Sequence, residues 1–315
     1  MKHYSLTTIA AILLMYGCSC DMKTTSGGRP YEVVVTGNSD DAIIHTRNIL
    51  QAPDAEGLPQ REPLFDVMTI KGRKGGMTDY ARSIVTTDIN ANKYESTKIE
   101  YDRNVFARPQ IIVRVGTPSA TMLNRDSIQV QKTLCSILTR FEMSAEAGRL
   151  KKTHNKAAAR TVDSIFGHTI LTDTKMKVLK TGKDFVWLTD NTGIKTQNIC
   201  IYAYHGCKLD PETAKAVRDS VMKANMKGDT PDMYMVTATH PAPTFSTTKN
   251  NGNTVMVMRG IWEMKGDAMG GPFVSHSITD STTMKTITAE AFVFAPGKRK
   301  RNMIKQLEAA LFTLK

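Results

Sequence analysis

The sequence has few cysteines for its length, five among 315 residues. Small secreted domains held together by disulfides have a much higher cysteine content, so this class of protein is excluded. A chain of this length can bury a core large enough to be stable without disulfides. Hydrophobic residues make up 41% and charged residues 23%, which is typical of a globular protein and not of a disordered one.

Aromatic residues are also scarce, at 7%, and only two of them are tryptophans. Trp187 and Trp262 both lie inside apolar strand patterns. A surface that stacks sugars or bases needs more exposed rings, so we interpret both tryptophans as core residues.

The familiar catalytic signatures are missing from the sequence. There is no G-x-S-x-G elbow, no H-E-x-x-H helix and no Walker phosphate loop. His276 has Ser275 and Ser277 as neighbours, but alternation along a strand places both serines on the opposite face from the histidine. We therefore predict no catalytic residue and no cofactor. Whether the chain is an enzyme stays open, and a non-enzymatic protein is favoured.

An apolar run occurs at the amino terminus and stops abruptly. Lys2 precedes the mostly apolar residues 6–16, and Gly17 follows them. A basic start, a short apolar run and a small residue are typical of a secretory signal peptide. The run is shorter than the roughly 20 residues that a membrane-spanning helix needs. Because a small residue followed by cysteine resembles a lipoprotein signal, we predict acylation at Cys18, with Cys20 as the alternative.

The rest of the chain predicts an α+β fold, with antiparallel sheets and helices packed on one face of them. Both halves follow the order strand, helix, several strands and helix, which raises the hypothesis of two remotely duplicated halves. A long helix is predicted over residues 119–152, and a final helix follows the last strand. The predicted segments are a signal peptide (1–17), a lipid-anchored flexible tether (18–30), an N-terminal α+β half (31–155) and a C-terminal α+β half (156–315).

The formal net charge of the chain is +12. In an exported, membrane-tethered protein this charge favours anionic lipids or glycolipids over nucleic acid as a partner. The densest basic run is at the start of the last predicted helix, where positive charge opposes the helix dipole. We predict a basic patch that consists of Lys298, Arg299, Lys300 and Arg301.

The stretch "CIYAYHGC" places two thiols and an imidazole, all of them zinc-ligand types, close together. Cys200, His205 and Cys207 are therefore weak candidates for metal ligands. Three residues on one strand and its turn cannot complete a tetrahedral site alone, so we predict no metal site. A disulfide between Cys200 and Cys207 stays open.

Four stretches agree in order and spacing with a known family: "GGRPYEVVV", "LPQREPLFDV", "MGGPFVSHS" and "EAFVFAPGKRKRNMIKQLEAAL". They run from residue 27 to the end of the chain. On these residues the chain resembles a Bacteroidota lipoprotein family that is catalogued only as a domain of unknown function (family 4837). The resemblance implies a cell-envelope lipoprotein and carries over no catalytic residue.

The expected function is that of a lipid-anchored envelope protein that binds an envelope protein or a cell-wall component. The alternatives are an exported hydrolase with a non-standard site, and a binder of anionic glycolipid or peptidoglycan. Acidic residues after the lipidated cysteine resemble a surface-export signal in that phylum. Here Asp21 is followed closely by Lys23, so we expect the protein at the outer membrane, facing the periplasm.

Overall fold

The computed structural model describes residues 24–71, 76–193, 195–250 and 252–315. The predicted signal peptide and both lipidation candidates, Cys18 and Cys20, lie outside the described residues. No helix of the described chain combines the length and the apolar character needed to cross a membrane.

The N-terminal half has seven strands, three α-helices and a short 3₁₀ helix (Met77–Tyr80) among its described residues. Its elements are β1 (Thr24–Thr25), β2 (Glu32–Gly37), α1 (Asp40–Gln51), β3 (Asp66–Thr69), β4 (Ser83–Ile89), β5 (Lys98–Arg103), β6 (Ala107–Arg108), β7 (Ile111–Thr117), α2 (Ala120–Arg125) and α3 (Ser127–Lys152).

The C-terminal half has eight strands and three α-helices among its described residues. They are α4 (Lys156–Phe166), β8 (Lys177–Gly182), β9 (Phe185–Thr189), β10 (Thr196–His205), α5 (Pro211–Asn225), β11 (Tyr234–Thr237), β12 (Thr244–Asn250), β13 (Asn253–Lys265), β14 (Gly270–Asp280), β15 (Lys285–Phe294) and α6 (Arg301–Leu311).

Five strands of the N-terminal half form a sheet in the order β3-β2-β4-β7-β5. The pairings β2–β3, β2–β4 and β4–β7 are parallel, and β5 alone runs antiparallel to its neighbour. Alternate strand residues such as Val33, Val35 and Val113 point to one face, where they pack against α1, α2 and α3.

The C-terminal half forms one antiparallel sheet in the order β11-β13-β14-β15-β10-β9-β8, with β12 also paired to β13. One face packs against α4 and α6, through residues such as Val162 and Leu307. The opposite face packs against α5, where Met222 meets Trp262 and Phe273.

The α+β class is confirmed, but its details differ from the expectation. The N-terminal sheet is mainly parallel, because α1 forms a crossover between β2 and β3. In the C-terminal half helices cover both faces. The two sheets differ in strand number, order and direction, and the architecture does not show a duplication. The helix predicted over 119–152 is divided at Asp126, whose backbone (φ −86°, ψ 2°) leaves the helical geometry.

The two halves meet where the loop before β3 reaches the start of α6. The carboxylate of Glu62 accepts hydrogen bonds from the backbone N–H groups of Lys300 (2.7 Å) and Arg301 (3.0 Å). Arg301 donates to the carbonyl of Pro63 (2.8 Å) and pairs with Asp66 (2.5 Å). Burial alone would raise the pKa of Asp66, but its hydrogen bond with Arg301 lowers that pKa below the usual value.

This contact corrects the interpretation of residues 298–301 as one basic patch. Lys300 and Arg301 are buried, since the chain turns inward there and Glu62 supplies the negative charge that the start of α6 favours. Lys298 and Arg299 are exposed, and Arg299 pairs with Asp66 (3.0 Å). Through these contacts with Glu62 and Asp66, the basic run connects the C-terminal half to the N-terminal half.

Replacing Glu62 with Ala is expected to lower the free energy of unfolding by about 2 kcal/mol, because two charge-assisted hydrogen bonds at a buried helix start are lost. Urea unfolding followed by circular dichroism measures this change. Glu56→Ala is the matched control, since the Glu56 side chain is 77% exposed and its loss should change stability by less than about 0.5 kcal/mol. Equal effects of the two substitutions would contradict the assigned role of Glu62.

Candidate functional site

A crevice opens at the carboxyl ends of β2 and β4, which are adjacent parallel strands. From β2 the chain passes through α1 to β3 on one side of the sheet. From β4 it continues to β5 and β7 on the other side. Ligands of open α/β sheets bind outside the carboxyl ends of the strands at such a point of divergence.

The crevice has a volume of about 600 Å³. This size falls within the range of about 300–1,000 Å³ that is typical of small-molecule sites. Its lining residues are Thr36, Gly37, Asn38, Ser39, Asp40, Ile43, Lys71, Thr86, Thr87, Asp88, Lys93, Tyr94 and Arg114.

Two hydroxyl groups in the wall of the crevice have no hydrogen-bond partner among the described residues. Thr36 and Thr86 are register partners across β2 and β4, and the Oγ1 atoms of both are buried. Thr36 is only 4% exposed. On the helix-covered face of the same sheet, by contrast, Thr46 and Thr87 bond to each other at 2.6 Å. A buried hydroxyl without a partner costs about 1–3 kcal/mol, so the free protein leaves two hydrogen bonds unmade beside this cavity.

The loop between β2 and α1 is held rigidly beside the end of β4. Asn38 donates through Nδ2 to the Asp88 carboxylate (3.0 Å) and to the carbonyl of Ile89 (2.8 Å), and its Oδ1 accepts from the Ile89 N–H (3.0 Å). A Cβ at Gly37 would lie 2.9 Å from the carbonyl oxygen of Thr87, so only glycine allows this close approach. The rigid loop fixes the start of α1, where Ser39 accepts a hydrogen bond from the N–H of Ala42.

Three cations stand at the rim of the crevice, and each has a carboxylate partner. Lys71 pairs with Asp40 (2.6 Å), and Lys93 pairs with Asp88 (2.9 Å). The hydrogen bond from Lys93 lowers the pKa of Asp88, which is therefore ionised at neutral pH. Arg114 pairs with Asp102 on β5.

These rim pairs are exposed, and exposed ion pairs contribute little, about 0–1 kcal/mol each. A lysine or arginine can therefore exchange its carboxylate for an anionic group of a ligand at small cost. The start of α1 adds a positive dipole end, although Asp40 and Asp41 in its first turn offset part of it.

The lining offers hydroxyl, carboxylate and cationic side chains, and its described residues include neither histidine nor cysteine. The hydroxyls of Thr36 and Thr86 can each donate and accept a hydrogen bond. Hydroxyls in the wall and cations at the rim together match a ligand with hydroxyl groups and one anionic group.

The structure does not bring Cys200, His205 and Cys207 together as a ligand set. Cys200 is buried under α5, where burial raises the pKa of its thiol, and His205 is exposed at the end of β10. Cys207 donates to the carbonyl of Asp280 (3.5 Å). Cys200 and Cys207 are both free thiols, so the disulfide that the sequence left open is not formed. Within the described ranges, no group of three or more His, Cys, Asp or Glu residues could hold a metal ion.

The serines beside His276 point away from it, as strand alternation predicts. His276 is buried against α6, 3.8 Å from Glu308, and packs edge-on to Phe312 (4.4 Å between ring centroids). On the other face Ser277 shares a hydrogen bond with Thr288 (2.8 Å).

Sequence reasoning did not find the crevice. The available signal was "VVVTGNSDD", a strand that ends in glycine and leads directly into a capped helix. It predicts a strand and a helix but does not identify the neighbouring strand. Thr86 and Asp88 lie some fifty residues further along the chain, and only the parallel pairing of β2 with β4 brings them to the loop.

The fold and the crevice define an α+β protein with a cavity large enough for a small molecule. The cavity lies at the carboxyl ends of the strands in a mainly parallel sheet. The chain belongs to the family described as a domain of unknown function (DUF4837), whose model matches residues 155–313. A second model, also described as a domain of unknown function (DUF8532), matches residues 26–151. The resemblance to family 4837 is thus confirmed for the C-terminal half, whereas the first two matching stretches, at residues 27–35 and 58–67, lie in the range of the second family. The lipoprotein and Bacteroidota assignments stay predictions.

Two solved structures show a distant likeness. A crystal structure from Bacteroides thetaiotaomicron is 16% identical, with a TM-score of 0.25 over 47% of this chain and 44% of that chain. The present chain thus spans less than half the length of that protein. The lipid transfer and protein localization domain of human StarD13 is 9% identical, with a TM-score of 0.21 over 44% of this chain and 86% of that domain. At these TM-scores neither likeness bears on fold or function. No curated protein matches the chain.

Proposed function

We propose that the protein is a lipid-anchored binding module of the cell envelope, whose crevice takes up a small polyhydroxylated anion such as a sugar phosphate. The observation that carries this proposal is the pair of buried, unpartnered hydroxyls of Thr36 and Thr86 in the crevice wall. The amino-terminal sequence, with its short apolar run before Gly17 and Cys18, supports the anchor.

The shape of the crevice separates two kinds of contact. Thr36 and Thr86 line the crevice, and hydroxyl groups of a ligand would satisfy them once a side-chain rotation brings each Oγ1 to the cavity surface. Lys71, Lys93 and Arg114 lie at the rim, where an anionic group would stay near water. A ligand that carries both groups should therefore bind better than one that carries either group alone.

The test is a calorimetric titration of the full chain with glucose 6-phosphate, glucose and inorganic phosphate. We expect glucose 6-phosphate to bind at least tenfold more tightly than either of the other two. In the variant Thr36→Val/Thr86→Val, which keeps the side-chain shape, we expect at least a tenfold loss of affinity. The same variant should be slightly more stable when free, because two unpartnered buried hydroxyls are removed.

The matched control is Thr288→Val, which breaks the buried hydrogen bond with Ser277 (2.8 Å) in the C-terminal sheet, away from the crevice. It should lower stability by about 1 kcal/mol and leave the affinity unchanged. The assignment is refuted if Thr36→Val/Thr86→Val binds glucose 6-phosphate as tightly as the wild type, or if none of the three probes binds.

A further inference from the structure

A second cavity, which we call the basic groove, lies between the two halves of the protein. It has a volume of about 530 Å³ and is enclosed by α3, α6 and the hairpin of β12 and β13. It shares no lining residue with the crevice.

The charge of the groove is strongly one-sided, with six cationic side chains and one carboxylate in its lining. Arg140, Lys151 and Lys249 are exposed, and none of the three forms an ion pair with a described residue. They belong to α3 and β12, which come from different halves of the chain. Arg140 and Lys249 donate hydrogen bonds to the uncharged hydroxyls of Ser136 (2.9 Å) and Thr254 (2.7 Å), so their positive charges stay uncompensated and concentrate anions.

The single carboxylate of the groove, Glu308, is already neutralised by its neighbours. Lys305 donates to it at 3.1 Å, and Arg259 forms a second ion pair with it. Burial alone would raise the pKa of Glu308, but the charges of Lys305 and Arg259 hold that pKa well below its usual range. The ionised carboxylate therefore uses two of the six cations and leaves the exposed ones available.

Apolar side chains also line the groove, beside the buried carboxylate of Glu308. Val257 is buried, and Met143, Leu171 and Phe312 are half-buried in the lining. The exposed cations thus share the groove with an apolar surface. A fully hydrated anion would leave this surface in contact with water, whereas a ligand with an apolar chain would cover it.

We infer that the basic groove binds an anionic single-chain amphiphile, with its charged head among Arg140, Lys151 and Lys249 and its hydrocarbon chain on the apolar surface. Lysophospholipids and fatty acids share this chemistry. An acidic peptide matches the rim but not the apolar surface below it.

The test uses the full chain with Cys18→Ser and Cys20→Ser, so that no acyl chain of its own competes for the groove. Binding is measured by titration below the critical micelle concentration with lysophosphatidylglycerol, palmitate, zwitterionic lysophosphatidylcholine, glycerol 3-phosphate and a hexaglutamate peptide. We expect one or both anionic amphiphiles to bind. The one that binds more tightly shows whether the natural ligand is a lysophospholipid or a fatty acid. Lysophosphatidylcholine should bind at least tenfold more weakly, and glycerol 3-phosphate and hexaglutamate at least a hundredfold more weakly. The affinity should fall as salt is added.

Lys151→Gln/Lys249→Gln should weaken binding of the preferred amphiphile at least tenfold. The matched control Lys132→Gln/Lys177→Gln removes the same charge from exposed positions outside the groove and should have no effect. The inference is overturned if lysophosphatidylcholine binds as tightly as the anionic amphiphiles, if hexaglutamate binds more tightly than they do, or if both double variants behave alike.

Discussion

Replacing Glu290 with Ala is expected to lower the free energy of unfolding by about 3–5 kcal/mol. Glu290 and Arg218 are both fully buried between the C-terminal sheet and α5, and Arg218 donates to both carboxylate oxygens at 2.8–3.1 Å. The guanidinium also donates to Thr237 (2.9 Å) and lies 3.8 Å from the ring centroid of Phe273. Without Glu290 the positive charge stays buried and keeps only the partly exposed Asp219, 3.5 Å away, as a counter-charge among the described residues. Removing one partner of a buried ion pair is among the most destabilising single changes.

The double variant Arg218→Met/Glu290→Leu is the control for this prediction. It removes both charges and keeps most of the buried volume, so its stability should lie within about 2 kcal/mol of the wild type. Urea unfolding of the three proteins measures both effects. A Glu290→Ala variant within about 1 kcal/mol of the wild type would contradict this account, as would a double variant less stable than Glu290→Ala.

Replacing Cys18 with Ser is expected to abolish attachment to the membrane. Burial of acyl chains contributes about 0.8 kcal/mol per methylene, so two or three chains give stable anchoring. The change should therefore remove nearly all of the protein from the membrane fraction and prevent incorporation of radiolabelled palmitate.

Cys20→Ser is the matched control, because it removes the neighbouring thiol and leaves Cys18 in place. It should keep both palmitate incorporation and membrane attachment. If Cys18→Ser stays labelled and Cys20→Ser does not, the acylated residue is Cys20. If neither variant nor the double variant changes attachment, the predicted anchor is wrong.

Local patterns predict many elements of the fold correctly. The β-branched run of "RPQIIVRVG" predicts a buried strand, and β7 is that strand. Asp210 followed by Pro211 predicts a helix start, and α5 begins there, with Asp210 accepting a hydrogen bond from the N–H of Thr213. Such elements are predictable because the residues that determine them are neighbours in the chain.

Features that depend on distant residues are not predictable in this way. The direction of pairing between β2 and β4 depends on two successive connections, from β2 through α1 to β3 and from β3 to β4, and neither strand sequence specifies it. The burial of Lys300 and Arg301 depends on Glu62 and Asp66, which lie in the other half of the chain. A basic run looks exposed in the sequence because its partners are more than two hundred residues away.

The helix α4 is absent from the sequence predictions, although its pattern is clear. Its three buried residues, Ala158, Val162 and Phe166, recur every four positions on one helical face. Residues that commonly begin and end helices also flank α4. Asn155 accepts hydrogen bonds from two backbone N–H groups at the start, and Gly167 has the left-handed conformation (φ 66°) at the end.

The most direct test of the central claim is to map the backbone amide resonances of the full chain as glucose 6-phosphate is added. The account predicts shifts concentrated at the crevice, at Gly37, Asn38 and Thr87, with the amide of Lys249 in the basic groove unchanged. In the variant Thr36→Val/Thr86→Val these shifts should require at least tenfold more ligand. Shifts centred on the basic groove, or no shifts at any concentration tested, would contradict the claim that the crevice is the ligand site.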